Sequence, residues 1–378
     1  MKVSFVIFSN LQEWRGIERT VYEYIKNKPA WVSANIVQTD TFHVRRISSD
    51  DIHSLFKCTR IITIKDYFSR LWFLDDNILT FTVKEAVLAP IIGFFMRHFI
   101  YRRLYESLGK PDVVYCFNDD HAPLVFRKKN ILLVGSEHGW HFSKANLSKK
   151  VQVKLVLNGL LFRRISVYHV FPRNVAVIAR SGLKYFELPS GVDTDIYSQK
   201  KHFSEMKNLL FFGSLEECKG VNIILEAWKL YLEGNTNLNL HIVGKGTLES
   251  AVREVQSQRC IYHGFVSESD LPELIRSCDT LIYPSLCDSF SLVVAESLSC
   301  GLNILTNREI ASNFSDFLSL GQIKIIENSP ESIYSHVMQL LSGGGDWDKK
   351  KAEKLCKQKL DWKSVTDKLY AELEEVAM

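Results

Sequence analysis

Two series of short apolar segments alternate with helical patterns along this chain. The first series lies at 3–8, 34–38, 60–64, 112–117, 131–136 and 174–179, and the second at 208–213, 238–243, 260–263, 280–283, 303–306 and 323–326. Segments this short and this uniformly apolar read as strands buried on both faces, and the helices between them supply the crossovers that parallel strands need. The pattern predicts an α/β chain with two doubly wound, Rossmann-like domains divided near 190–200. Ligands of such sheets bind beyond the carboxyl ends of the strands. A length of 378 residues and a hydrophobic content of 46% are enough for two cores. The loose tract Ser342-Gly-Gly-Gly-Asp346 is predicted to join two C-terminal helices.

Charge is distributed unevenly. Residues 1–200 carry 29 Lys and Arg against 18 Asp and Glu, whereas the remainder carries 18 against 25, so a net +4 conceals a basic first half. Apolar-then-basic runs at 86–103 (with Arg97, Arg102 and Arg103) and 149–164 concentrate that charge. Both apolar runs fall short of the roughly 20 residues that span a bilayer. They fit two readings: interfacial segments against an anionic membrane surface, or core helices with a solvated basic face. No nucleic-acid module and no basic–aromatic stacking pattern is present, which argues against a nucleic-acid partner. Eight cysteines without C-x-x-C spacing read as reduced, buried small hydrophobes, the usage expected inside a cell. The start, Met1 to Phe8, reads as a first buried strand and not as a signal peptide.

The richest chemistry lies in Tyr283-Pro-Ser-Leu-Cys-Asp-Ser-Phe-Ser-Leu-Val-Val-Ala-Glu296. Asp288 falls in the loop after a strand, and Glu296 falls about two turns into the helix that follows. A ligand over that helix N-terminus would meet backbone N–H groups, the positive end of the helix dipole and an acid on either side. N–H donors suit phosphate oxygens and carboxylates suit hydroxyls, so the arrangement fits a phosphate joined to sugars. The same spacing also fits an ordinary sheet-covering helix with a solvated Asp and a Glu facing water.

This segment resembles the E-x7-E signature of retaining glycosyltransferases of family 4, which have the GT-B fold, with Asp288 in place of the first acid. Gly213-Ser-Leu-Glu-Glu-Cys-Lys-Gly-Val221 resembles the family's G-R-L…K-G segment, and Leu188-Pro-Ser-Gly-Val-Asp193 its I-P-N-G-V-D linker. Leu240-His-Ile-Val-Gly-Lys-Gly246, His263-Gly-Phe-Val266, Leu271-Pro-Glu-Leu274 and Cys300-Gly-Leu302 follow in the family's order. Before residue 186 the likeness rests on Gly16-Ile-Glu18 and Ser136-Glu-His-Gly139. The resemblance implies two Rossmann-like domains facing a cleft. An acceptor-side domain would span 1–190 together with a crossing helix at 362–378, and a nucleotide-sugar domain would span 191–361.

The resemblance also implies roles. Lys219 would face the departing diphosphate, Glu296 the nucleotide ribose, and Asp288 hydroxyls of the donor sugar. Gly213, Ser214, Gly244, Phe265, Val266, Ser289, Phe290, Ser291 and Leu292 would line the donor site, joined from the first domain by Gly16 and Arg15. His138 would lie near the reacting carbon. Apart from the resemblance, Asp119, Asp120 and His121 follow the strand at 112–117 as a second polar cluster at the same edge, which would meet the acceptor. Three departures bear on this. Ser214 replaces the family's arginine, and a hydroxyl is one neutral donor where a guanidinium gives a charged fork. Arg15 occupies a glycine position and would either supply the missing charge or stand as a solvated loop residue. Ser289 and Ser291 replace both glycines of the family's G-F-G turn.

The resemblance implies a retaining hexosyltransferase that takes a UDP- or GDP-linked sugar to a hydroxyl acceptor, a glycan or a lipid-linked one. It would be cytoplasmic or peripheral on the inner membrane face. No carboxylate would act as nucleophile, because the leaving diphosphate can deprotonate the acceptor. No motif that carries the resemblance is a D-x-D metal site, so neither a cofactor nor a catalytic metal is expected. A GT-B-like nucleotide-sugar epimerase and a non-catalytic sugar-nucleotide binding module stand as alternatives. Gly244-Lys-Gly246 lacks the third glycine of a dinucleotide fingerprint, since Glu249 stands there, which argues against a dehydrogenase.

Overall fold

A computed structural model describes residues 1–7, 11–13, 16–39, 48–57, 59–64, 109–117, 131–136, 165–180, 182–201, 203 and 205–377. Arg15, Asp119, Asp120, His121, His138 and the two apolar-then-basic segments lie outside the described residues. The chain divides into two compact units. One comprises Met1–Val170, Asn174–Leu188 and Thr366–Met378, the other Phe171–Arg173 and Pro189–Val365.

The first unit holds seven strands: β1 (Lys2–Val6), β2 (Ser33–Thr39), β3 (Arg60–Ile64), β4 (Val113–Cys116), β5 (Leu132–Ser136), β6 (Val167–Val170) and β7 (Tyr185–Glu187). They form one sheet in the order β3-β2-β1-β4-β5-β6-β7. Every pairing is parallel, as the uniform burial of β4 and β6 requires. Aromatic rings fill its centre, with Phe5, Tyr24, Tyr115 and Phe117 in mutual contact. The C-terminal helix Trp362–Ala377 enters this core, where buried Tyr370 Oη donates to the Tyr24 carbonyl at 3.0 Å. His169 on β6 is fully buried between Tyr115 and the Leu188 carbonyl, and burial holds its imidazole down at about 4, so it is neutral at physiological pH.

The second unit holds β8 (Asn208–Phe212), β9 (Asn239–Val243), β10 (Cys260–Gly264), β11 (Thr280–Tyr283), β12 (Asn303–Thr306) and β13 (Ile323–Ile325). They too form a parallel sheet, in the order β10-β9-β8-β11-β12-β13. The order reverses between β8 and β11, so the switch point opens where these two neighbours end.

One expected strand is a helix. Residues 174–179 form the turn Val175–Ala179, in which only Ile178 is buried. A short apolar run does not distinguish the two states, and here a 3-10 turn opening at Pro172 starts the backbone in helical geometry. The strands in this region are β6 and β7, neither of which the sequence reading named. The expectation for cysteine also needs correction. Cys116, Cys260, Cys278, Cys300 and Cys356 are buried and outside any disulfide and Cys58 lies outside the described residues, but Cys218 is exposed and Cys287 half-buried, because they occupy loops beyond β8 and β11 instead of the strands.

The sheet ends approach closely. A Cβ on Gly244, whose φ is 133°, would stand 1.8 Å from the Gly213 carbonyl oxygen. Gly244→Ala should therefore cost at least about 2 kcal/mol through backbone strain and displacement of the β8–β9 ends. Urea unfolding checks this, and a loss below about 0.5 kcal/mol, the scatter of ordinary surface changes, would show that the approach is soft.

Candidate functional site

Lys219 and Asp288 lie on loops that leave adjacent strands, β8 and β11, at the switch point. After β8 the chain passes Gly213 and Ser214 into a short 3-10 turn, Glu217–Lys219, and then the helix Val221–Ala227. Gly220 between them has φ 76°, and a Cβ there would meet Pro284 Cγ at 2.6 Å. Glycine at this position lets the Lys219 loop lie directly on the β11 loop, an approach sealed by the Leu286 N–H donating to the Cys218 carbonyl at 2.8 Å.

That approach brings Lys219 Nζ to 2.6 Å from Asp288 Oδ1. The second carboxylate oxygen, Oδ2, accepts from Tyr283 Oη at 2.8 Å. Burial by itself would lower the Lys219 pKa, but the Asp288 carboxylate outweighs it and the ammonium holds its proton above the ordinary 10.5. The Lys219 titration therefore favours the folded state fully below pH 10.5, and that contribution is lost as pH rises through the higher folded value. Buried Tyr283 has its hydroxyl pKa pushed well up by desolvation and then by Asp288, so it stays a donor. Both Asp288 oxygens thus have a donor from within the unit, and the short side chain is drawn back toward Lys219.

Glu296 lies within the helix Leu292–Cys300 and is 4% exposed. A buried acid on a sheet-facing helix is unusual and marks it apart from the solvated Glu that the spacing alone also allowed. Ser291 caps this helix, its Oγ accepting from the Val294 N–H at 3.3 Å. Its φ of 81° is one of the positive values among non-glycine residues, which gives a physical reason for a glycine at this place in related turns. The cap partly compensates the strain.

The loop between β11 and this helix is braced by groups that the sequence reading missed. The Tyr283 carbonyl accepts from Thr306 Oγ1 at 2.6 Å, the Pro284 carbonyl from Asn328 Nδ2 at 3.2 Å, and the Ser285 carbonyl from Asn307 Nδ2 at 2.7 Å. The Asp288 carbonyl accepts from Arg173 Nη1 at 2.7 Å. Asn313 Nδ2 donates to the Ser289 and Phe290 carbonyls at 3.0 and 3.3 Å. Polar residues directly after β12, such as Asn307, were the available signal. Arg173 and Asn313 carried none, being far from the loop in sequence.

Most of the remaining expected donor residues lie in this unit. Gly213 and Gly244 form the close approach described above. Ser214 is exposed, so no bulky cation fills the position of the family's arginine. Phe265 is 68% exposed beyond β10, and Val266 beside it is packed against the core. Leu292 begins the helix, and Gly16 begins the helix Gly16–Lys26 in the other unit. Among the described residues there is no cluster of three or more potential metal ligands and no helix long and apolar enough to cross a membrane.

Ser291→Gly tests the strain. Relief of a positive φ is worth about 1 kcal/mol or more, and a Ser-to-Gly change at an N-cap costs only a few tenths. The variant should equal or exceed the parent in urea unfolding, whereas Ser291→Ala, which keeps the strain and loses the cap, should fall by about 1 kcal/mol.

Comparison with known proteins agrees with this construction. Residues 193–360 match the family described as glycosyl transferases group 1. O-antigen chain mannosyltransferase B of Escherichia coli is 23% identical over 158 residues, 38% of this chain and 39% of that protein. Lipopolysaccharide glucosyltransferase WaaG of Escherichia coli K12 is 33% identical over 116 residues, 30% of this chain and 31% of that protein. The chain thus spans less than half the length of these curated relatives. Among solved structures, Anabaena HepE in complex with UDP and glucose superposes with a TM-score of 0.70 over 99% of both chains at 14% identity. The lipopolysaccharide outer core galactosyltransferase WaaB superposes at 0.65, covering 99% of this chain and 100% of that one, also at 14% identity. The chain has the GT-B fold, and its residues 193–360 are similar to the glycosyl transferases group 1 family.

Proposed function

We propose that the protein is a glycosyltransferase that moves a hexose from a UDP- or GDP-linked donor to a hydroxyl acceptor with retention of configuration. The observation that carries this reading is the Lys219–Asp288 pair at the switch point, beside the N-terminus of the helix that holds buried Glu296. The ammonium and the helix N-terminus form a positive seat for a diphosphate. As the sugar–phosphate bond breaks, charge grows on the leaving diphosphate, and a fixed cation there stabilises the transition state more than the ground state. Glu296 accepts from ribose hydroxyls in this reading, and a charge-assisted bond of that kind is worth roughly 1.5–3 kcal/mol.

Asp288 has two tasks. It holds Lys219 in place through Oδ1, and its remaining lone pairs take donor-sugar hydroxyls. Likeness to the family assigns His138 to the reacting carbon and Arg15 and Gly16 to the diphosphate, and the polar cluster Asp119, Asp120 and His121 is assigned to the acceptor from its place in the sequence. The leaving diphosphate acts as base toward the acceptor, and the reading calls for no metal. The acceptor is a glycan or a lipid-linked hydroxyl, and the basic first half docks the protein on an anionic membrane surface, the inner face of a cell membrane. Support for this comes from charge and from lipopolysaccharide-directed relatives alone.

Release of free nucleotide from UDP-, GDP- and ADP-sugars tests the reading, with hydrolysis of at least one donor expected. Lys219→Ala should lower that turnover by about 10²-fold or more with folding retained, because the missing charge acts on the departing diphosphate. Wild-type-like turnover in the variant would overturn the role of Lys219. Donor binding without turnover on any acceptor would favour the non-catalytic binding module.

A further inference from the structure

The turn Asp288–Phe290 is gripped from two distant parts of the chain. The segment 171–173 contributes one aromatic ring and one cation. Phe171 meets Phe290 at a centroid distance of 5.3 Å, and Arg173 Nη1 donates to the Asp288 carbonyl at 2.7 Å. The segment 313–314 contributes the same two elements in neutral form. Phe314 meets Phe290 at 4.9 Å, and Asn313 Nδ2 donates to the next two carbonyls at 3.0 and 3.3 Å. The two segments are also tied to each other, since the Arg173 N–H donates to Asn313 Oδ1 at 3.2 Å.

Three successive carbonyls of the turn are therefore held on one side. In a trans peptide the N–H of the following residue points opposite to its carbonyl. No cis peptide bond occurs among the described residues. Fixing the carbonyls of Asp288, Ser289 and Phe290 thus fixes the N–H groups of Ser289, Phe290 and Ser291 toward the other side. Those N–H groups donate to no described residue. They lie immediately before the helix Leu292–Cys300, whose first-turn N–H groups are free of helical partners by construction. Successive amides of this kind make an anion-binding concavity.

We propose that Arg173 and Asn313 are positioning residues, which aim the amides of the 288–291 turn at the phosphate-bearing donor by holding its carbonyls away. The inference rests on the functional reading above and adds to it two residues outside the resemblance. Where related turns have glycines, the two serines here make the loop less free, and the external grip replaces intrinsic flexibility with a fixed geometry. Asn313 acts without a charge of its own. Arg173 acts through a carbonyl and brings a second cation beside the Lys219 loop, in a chain where Ser214 supplies none.

The test is the affinity of the purified full chain for uridine and guanosine diphosphate, by calorimetry, with thermal unfolding read in parallel. Asn313→Ala and Arg173→Met should each weaken binding of the preferred diphosphate by at least about 10-fold, because misaimed donors lose most of their hold on an anion. Arg173→Lys, which keeps a donor for the Asp288 carbonyl, should recover part of the loss. A neutral Asn313 makes the result diagnostic, since its effect cannot come from removed attraction. Where a truncation unfolds the chain, Asn313→Ser and Arg173→Gln, which keep a polar group but stop short of the carbonyls, carry the same comparison. Folded variants that bind as tightly as the parent would overturn the positioning role while leaving the glycosyltransferase reading intact. A parent chain that binds neither diphosphate would overturn the reading and the positioning role together.

Discussion

A single carboxylate, Asp288, organises the site by accepting from two different elements at once. Tyr283 is the last residue of β11 and Lys219 ends the turn after β8, so Asp288 ties the two strand ends together at the point where the sheet order reverses. Breaking such a partly buried pair leaves a charge without its partner, which costs more than the pair itself contributes. The arrangement keeps Lys219 charged and fixes its ammonium against the loop after β11. A cation held by an acid, next to amides held by their own carbonyls, is electrostatics arranged before any ligand arrives. Preorganisation of this kind costs no reorganisation during reaction.

The backbone makes that arrangement possible. Gly220 lets one loop lie on the other, and Gly244 lets β9 end against the Gly213 carbonyl. Neither position tolerates a side chain, because the neighbouring atoms are backbone or a proline ring. The linker obeys the same rule, since a Cβ on Gly191 would stand 2.4 Å from the Trp362 ring. Glycines read in the sequence as motif positions are, in the folded chain, places where one segment crosses another at van der Waals distance.

Much of the second unit was legible because its strands are short, uniformly apolar and bounded by turn residues. Its strand boundaries fall within a residue of those expected, and Lys219, Asp288 and Glu296 stand where motif order put them. Legibility failed where the information is non-local. Residues 174–179 have an apolar content that suits either a strand or a helix, and only their surroundings decide. Exposure of Cys218 follows from where β8 stops. Arg173 and Asn313 are separated from the turn they hold by 115 and 24 positions, distances over which no local pattern operates. The pairing of Asp288 with both Lys219 and Tyr283 was equally invisible, so the sequence suggested a sugar ligand where the fold shows first a bridge between two loops.

Phosphorus NMR of a nucleoside diphosphate titrated with the purified chain tests the central claim most directly, because it reads the phosphates themselves. If the Lys219–Asp288 pair and the neighbouring amides form a diphosphate seat, both phosphorus resonances shift and broaden on binding, and Lys219→Met restores most of the free spectrum. Resonances that stay at their free positions with the folded parent chain, or shift identically with the variant, would contradict it.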